Sequence, residues 1–304
     1  MKIGVMGLGN ICQKAYLPIM NNMRTDIDWY FYSRQEDKLK ALQQQFGWEN
    51  VTTDLDQFLA SGIEAIFIHT PTATHGELIK LFLTKGIHVF VDKPVSEDFD
   101  EVQELHDLAA EKNLVLMTGF NRRYAPLNNE LKKVTDKRLI IAQKNRMQPK
   151  TDVKFEVFDM MIHMVDTTLY LLDEPIEEAS YEVVATGDVR LRRAMILFKT
   201  ENTTAVTSTN MEAGAHTETV EIQGLTGTYT VSNLSELVKN ERGTVQIEGF
   251  GDWENTLAKR GFKQAIELFI DVLNNQDERV AALGEDSLLT HYYVNKLYQS
   301  YLEK

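Results

Sequence analysis

Met1-Lys-Ile-Gly-Val-Met-Gly-Leu-Gly-Asn10 is the stretch from which the rest of the chain is read. Ile3, Val5 and Met6 have the pattern of a short buried strand, and Gly7-Leu8-Gly9-Asn10 turns it at once into a helical pattern beginning near Ile11. A strand that stops at a glycine pair and feeds a helix N-terminus suits a dinucleotide pyrophosphate. The first glycine makes the turn, the second lets the backbone approach the phosphates, and the helix's free N–H groups and dipole face the negative charge. The complete fingerprint has a third glycine at position 12, where this chain has Cys12. Taken alone, the glycine pair also fits an ordinary tight βα turn. The following strands decide between the two.

Beyond the turn, strand and helix patterns alternate with short connections. Ile11 to Met23 suits a helix interrupted by Pro18, and Ile27 to Tyr32 is β-rich. Leu39, Leu42 and Phe46 mark a helix stopped at Gly47. Ile63 to His69 is nearly continuous apolar, as strands buried on both faces are. A helix capped by Thr74 and stopped by Gly86 follows, then strand Ile87 to Val91, a helix with Val102, Leu105 and Leu108, and strand Leu114 to Thr118. This order predicts a doubly wound parallel α/β sheet, a Rossmann domain over residues 1–120. Ligands of such sheets sit outside the carboxyl ends of the strands. The informative residues are therefore Gly7 to Asn10, Ser33-Arg34, Thr70-Pro71-Thr72, Asp92-Lys93-Pro94 and Gly119-Phe120-Asn121.

At the end of the second strand an acid would bind the adenosine ribose, whereas an arginine accommodates a 2′-phosphate. Ser33 and Arg34 stand there, with Lys38 one helical turn on, so NADP is favoured over NAD. Lys93, held at a strand end before Pro94, is suited to polarise a substrate oxygen or stabilise an alkoxide; a surface loop lysine is the alternative. His75 starts a helix beside the cofactor edge, within contact range of a bound dinucleotide, whereas His69 and His88 lie in apolar strands and read as structural. Cys12 reads as a small packing residue, with a thiol activated by the helix start as the alternative.

After Tyr124 the periodicity changes. Lys137 to Met147 reads as a strand, and Phe155 to Leu172 as one amphipathic helix with Phe158, Ile162, Val165, Leu169 and Leu172 in its apolar stripe. Asp159, His163, Asp166 and Tyr170 fall on a neighbouring face. Imidazole titrates near neutrality and suits removal of a hydroxyl proton, with a carboxylate one turn away to orient it. A half-buried structural histidine is the alternative; a metal site on Asp159, His163 and Asp166 is disfavoured for want of further ligands, and none is expected. Thr- and Val-rich alternating runs from Ser180 to Glu248 predict a wide antiparallel sheet, and helices around Gly261 to Leu273 and Ser287 to Leu302 follow. Residues 121–304 are thus expected to form an α+β domain with a wide sheet, its closing helix over 285–303 packing back on the first domain.

Composition narrows the partners. A net charge of −13 argues against a nucleic-acid binder, which needs a basic face. No apolar run approaches the length of a membrane span, about 20 residues. One cysteine rules out an internal disulfide, and a cytoplasmic protein is expected.

In order along the chain, these motifs resemble the Gfo/Idh/MocA oxidoreductases. The resemblance is carried by Gly7-Leu8-Gly9-Asn10-Ile11 with Tyr16-Leu17-Pro18, Thr70-Pro71-Thr72 through His75, Asp92-Lys93-Pro94, Gly119-Phe120-Asn121-Arg122-Arg123-Tyr124 and Asp159-x-x-x-His163. Trp253 to Phe262 and the closing helix are most similar to the virulence-factor-like subgroup. The resemblance implies NAD(P)-dependent hydride transfer on a sugar- or polyol-like small molecule. It makes residues 121–304 the substrate and oligomerisation domain, with a homodimer or higher oligomer formed through the second-domain sheet. It makes Lys93 the catalytic lysine, His163 the acid/base and Asp159 its partner. It also sets Asp92 at the nicotinamide ribose and Asn121 beside the nicotinamide. Two readings stay open beside it: a nucleotide-sensing regulator of the same fold, and glycoside cleavage through transient oxidation. Asp92 is one methylene shorter than the family's glutamate, and Val153 to Val157 replaces glycines often found before the Asp/His helix.

Overall fold

The apolar runs of the first half become six parallel strands. They are β1 Lys2–Met6, β2 Asp28–Tyr32, β3 Val51–Thr52, β4 Ala65–Ile68, β5 His88–Val91 and β6 Leu116–Thr118, in the order β3-β2-β1-β4-β5-β6. The computed structural model describes residues 1–148, 151–275 and 279–303. The chain forms two compact units, one from Met1–Gly119 with Ala265–Leu288, the other from Phe120–Gln264 with the chain from Leu289 onward.

In the first unit Ile66, Ile68, Val89 and Val91 pack with Ile79, Phe82, Val102 and Leu105 of the covering helices. The Glu36–Phe46 helix ends as expected on Gly47 at φ +69°. The β3 strand and the Leu55–Ala60 helix, whose N-cap Asp54 accepts from the Asp56 and Gln57 amides, had no strong periodic signal because both are short. Thr74, expected as a cap, instead turns its hydroxyl to Thr70 Oγ1 and the Pro71 carbonyl, both at 2.8 Å. Pro18 does not stop its helix. Cys12–Tyr16 forms a π turn, the Leu17 amide reaching back to the Cys12 carbonyl, and Leu17–Asn22 continues as α-helix.

The second unit is an eight-stranded sheet. It comprises β7 Lys137–Asn145, β8 Glu178–Ala185, β9 Leu191–Lys199, β10 Thr204–Asn210, β11 Thr217–Gly224, β12 Thr228–Ser232, β13 Glu236–Glu241 and β14 Thr244–Gly249, ordered β14-β13-β12-β11-β7-β10-β9-β8. The sheet is antiparallel except where β10 runs parallel to β7. Polar β13, which sequence patterning does not single out, pairs between β12 and β14. One face is buried under the helical segment that starts at Val153, with Thr168 Oγ1 and Thr207 Oγ1 2.6 Å apart. That segment is not one regular helix. Val157–Met161 is a π turn between Val153–Glu156 and Ile162–Leu171, so the polar stripe assumed for a uniform α-helix is re-phased at Asp159.

Two adjacent buried arginines tie the start of this unit into its core. Arg122 grips Glu218 of β11 through Nε at 2.7 Å and Nη2 at 3.0 Å, and Arg123 donates to Asp166 with Nη2–Oδ1 at 2.5 Å. Asp166 also accepts from Thr290 Oγ1 at 3.3 Å. Removing one member of such a pair strands a buried charge. Arg123→Met is therefore expected to cost about 3–5 kcal/mol in denaturant unfolding, and adding Asp166→Leu to recover most of it. A cost for the single variant below about 1 kcal/mol would mean the pair does not hold the unit together.

Candidate active site

Parallel register brings the strand-end residues of the first unit to one edge. Met6 is level with Tyr32 and Ile68, Ile68 with Val91, and Val91 with Thr118. The residues that follow, Gly7, Ser33, His69, Asp92 and Gly119, therefore form a row. Gly7 takes φ +88°, and a β-carbon there would lie 2.3 Å from the His69 carbonyl carbon. The turn passes too close to β4 for any other residue. Gly9 differs: a β-carbon on it meets only the Gly7 carbonyl, at 3.9 Å, so that side of the turn is open, as backbone approach by a pyrophosphate requires. Asn10 and Ile11 then begin the helix, Ile11 exposed.

Along the row, Ser33 Oγ accepts from the Gln35 amide at 3.2 Å, while Arg34 is exposed with no hydrogen-bond or ion-pair partner among the described residues. Lys38 is close enough to Cys12 to act on it electrostatically. The Cys12 thiol is buried, and burial reinforced by the Asp92 charge drives its pKa well above the ordinary value, which leaves the packing role and removes the activated thiol. Lys93 is half-buried, its amide bonded to Asp92 Oδ1 at 3.0 Å, and the Lys93–Pro94 bond is cis. Beneath Asp92, His69 lies 3.9 Å from Tyr16, centroid to centroid, and 3.9 Å from Asp92 Oδ2. Burial pushes the His69 pKa down to about 3, so a neutral ring fills the space below the carboxylate.

Two residues expected at the cofactor make hydrogen bonds within the protein. His75 is buried, with Nδ1 2.8 Å from the Pro94 carbonyl and Nε2 2.8 Å from the Thr70 carbonyl. The ring thus bridges the Thr70-Pro71 loop and the segment after Lys93, its N–H donating to one of these carbonyls. Asn121, in the second unit, is also buried. Its Nδ2 donates to the Arg260 carbonyl at 2.6 Å and its Oδ1 accepts from Arg122 at 3.4 Å, so its amide ties the chain at Arg122 to that at Arg260.

In the second unit Asp159 lies half-buried in the π turn and His163 follows one turn on, buried. Asp166, on the same stripe in sequence, is spent on Arg123 and does not join them. Among the described residues no group of three His, Cys, Asp or Glu side chains is arranged to hold a metal ion, and no helix is long and apolar enough to cross a membrane. Beside Asp159 stand charged groups that sequence patterning passes over. Arg146 Nη2 lies 3.9 Å from Met160 Sδ, and Glu156 accepts from Thr151 Oγ1 at 2.6 Å, its pKa raised by burial. The available signal was parity: Lys144 and Arg146 follow Ala142 on what should be the apolar face of β7.

Residues 1–120 match the model of the GFO_IDH_MocA oxidoreductase family with NAD-binding Rossmann fold, and residues 122–242 that of a YceM-like C-terminal domain. YceM of Salmonella typhimurium is 34% identical over 98% of this chain and 97% of its own. The chain belongs to the Gfo/Idh/MocA oxidoreductase family. The crystal structure of the dehydrogenase MviM from Clostridium difficile, another similar protein, has a TM-score of 0.92 and 30% identity, covering 99% of each chain. The myo-inositol 2-dehydrogenase of Thermotoga maritima is 25% identical over 78% of this chain and 76% of its own. As a Gfo/Idh/MocA member the protein is an NAD(P)-dependent oxidoreductase of CH–OH groups. The open side of Gly9 and the strand-end row fit the dinucleotide that this family uses.

Proposed function

We propose that the protein transfers hydride reversibly between NADP and a carbinol carbon of a sugar, polyol or related small molecule. The observation that carries this is the presence in one chain of a cofactor-type strand-end row, with Lys93 just after Asp92, and of an acid–imidazole pair, Asp159 and His163, on the helical segment of the second unit. A sugar-like substrate is supported by the myo-inositol 2-dehydrogenase relative.

Gly7, Gly9, Asn10 and Ile11 would hold the pyrophosphate, with Thr70 and Pro71 along the edge and Asp92 at the ribose. Arg34 and Lys38, beside Ser33, meet the 2′-phosphate; the solvent-facing guanidinium of Arg34, without a protein partner among the described residues, favours NADP. When bound, the cofactor supplies the hydride acceptor or donor. Lys93 donates a hydrogen bond to the substrate oxygen and offsets the negative charge that grows there during oxidation. His163 takes the hydroxyl proton on its imidazole and returns it in the reverse direction, and Asp159 stabilises the imidazolium. A homo-oligomer formed through the second-unit sheet is part of this proposal. It is supported by Ile141, Val206 and Leu197, which stand side by side on three strands with partly exposed side chains, on the face away from the core.

Steady-state assays on a polyol and sugar panel test the chemistry. His163→Ala should lower kcat by about 10²–10⁴-fold and Lys93→Ala by about 10²–10³-fold, both retaining NADPH binding. Full turnover in both variants would remove these residues from the mechanism. For the cofactor, Arg34→Ala should weaken NADPH binding by about tenfold and leave NADH unchanged. Equal wild-type affinity for the two, unmoved by the substitution, would overturn the NADP assignment.

A further inference from the structure

The helix-covered face of β7 carries cations in place of the apolar residues such a face usually buries. Ala142 stands beside Val220 on β11 and Thr207 on β10, and the Thr207–Thr168 hydrogen bond fixes this as the face under the Ile162–Leu171 helix. Two residues further on, Lys144 is level with Glu218 and Thr209. Two further still, Arg146 reaches Met160 in the π turn that carries Asp159. The row of cations thus runs under the helix to the proposed acid/base pair.

Glu218 is already saturated. It takes both prongs of Arg122 and, at 2.8 Å, the ammonium of Lys144. Arg260 is held next to this group by the bond from Asn121 to its carbonyl, and its guanidinium is electrostatically coupled to Arg122, Glu218 and Arg146. Arg146 and Arg260 are half-buried, and neither has a carboxylate partner within ion-pair distance among the described residues. Among the described residues the Arg146 guanidinium donates only to the Asn145 carbonyl, at 3.0 Å, and to the Met160 sulfur. The acids facing it are Glu218, Glu156 and Asp159: the first is committed to Arg122 and Lys144, the second is bonded to Thr151, its pKa raised by burial, and the third lies beyond ion-pair distance. Burial, with repulsion from neighbouring cations, depresses the Arg146 and Arg260 pKa values and brings Lys144 down to about 7. Clustered guanidinium groups with free donors match a carboxylate or phosphate far better than a neutral hydroxyl.

We propose that the substrate carries an anionic group, a carboxylate or a phosphate, gripped by Arg146 and Arg260 while its carbinol lies at Asp159 and His163. The position of the carbinol rests on the hydride-transfer function proposed above; the grip on the anion does not. Sugar acids and sugar phosphates then rank above neutral polyols as substrates.

Calorimetric titration of the full-length protein tests this, with NADPH saturating so that no anion enters the cofactor site. D-Glucuronate and D-glucose 6-phosphate are compared with D-glucose. At least one anionic sugar should bind, about tenfold or more tighter than glucose, and whichever is preferred distinguishes carboxylate from phosphate. Arg146→Gln and Arg260→Gln should each weaken it about tenfold, with Arg146→Lys recovering part. Absence of anion binding, glucose binding of equal strength, or anion binding unmoved in both Gln variants would overturn the proposal; circular dichroism melting checks that the variants are folded. Anion binding lost in the Gln variants, with no turnover of any sugar, would keep the grip and refute the hydride-transfer function. Turnover of an anionic sugar by Arg146→Gln and Arg260→Gln with the wild-type KM would refute the grip and keep that function.

Discussion

The parallel register of β1 with β2 and β4 is the constraint on which the cofactor half of the molecule depends. A parallel ladder fixes which residues are level, so once Met6 stands beside Tyr32 and Ile68, the next residue of each strand must arrive at the same edge. That edge is where the chain abandons strand geometry, and each departure has a local cause. Gly7 turns because the β4 backbone leaves no room for a β-carbon, and the His75 ring bridges the Thr70-Pro71 loop and the segment after Lys93. Rigidity at this edge comes from backbone proximity and the buried His75 ring, which leaves one side of Gly9 open and Arg34 without a partner among the described residues.

In the second unit the organising force is ionic rather than steric. Burying a guanidinium is costly unless its donors are met, and Arg122 and Arg123 meet theirs on different elements, β11 and the helix. The segment after Gly119 is thereby fixed to the sheet and to the helical segment whose π turn presents Asp159. π turns inserted in α-helices are frequent at functional sites because the extra residue re-aims the side chains around it. Here the turn sets Asp159 against Arg146 instead of continuing the stripe toward Asp166.

Much of this was legible in the sequence. Continuous apolar runs between glycines and prolines gave the strands of the first sheet, and the glycine pair after β1 gave the turn. What escaped had no period to betray it: β3 is two residues long, and β13 is polar because it pairs near the sheet edge. The hydrogen bonds of His75 and Asn121 were not legible for a different reason. Position relative to a strand end says which edge a residue occupies, but not whether its polar atoms are already taken by backbone carbonyls. The uniform-helix assumption similarly hid the π turn, since nothing in Val157 to Met161 breaks helical composition. Lys144, Arg146 and Glu218 were visible as charges on a buried parity, a pattern easily dismissed as a solvated strand.

Isotope transfer tests the central claim most directly. The protein is incubated with NADPH deuterated at both nicotinamide C4 positions and a panel of keto sugars, neutral and anionic, and the products are analysed by mass spectrometry. Hydride transfer predicts one deuterium on a new carbinol carbon of the reduced sugar, with loss of that label in His163→Ala. Tight NADPH binding with no deuterium in any product would contradict an oxidoreductase acting on sugar-like carbinols and leave a nucleotide-binding protein in its place.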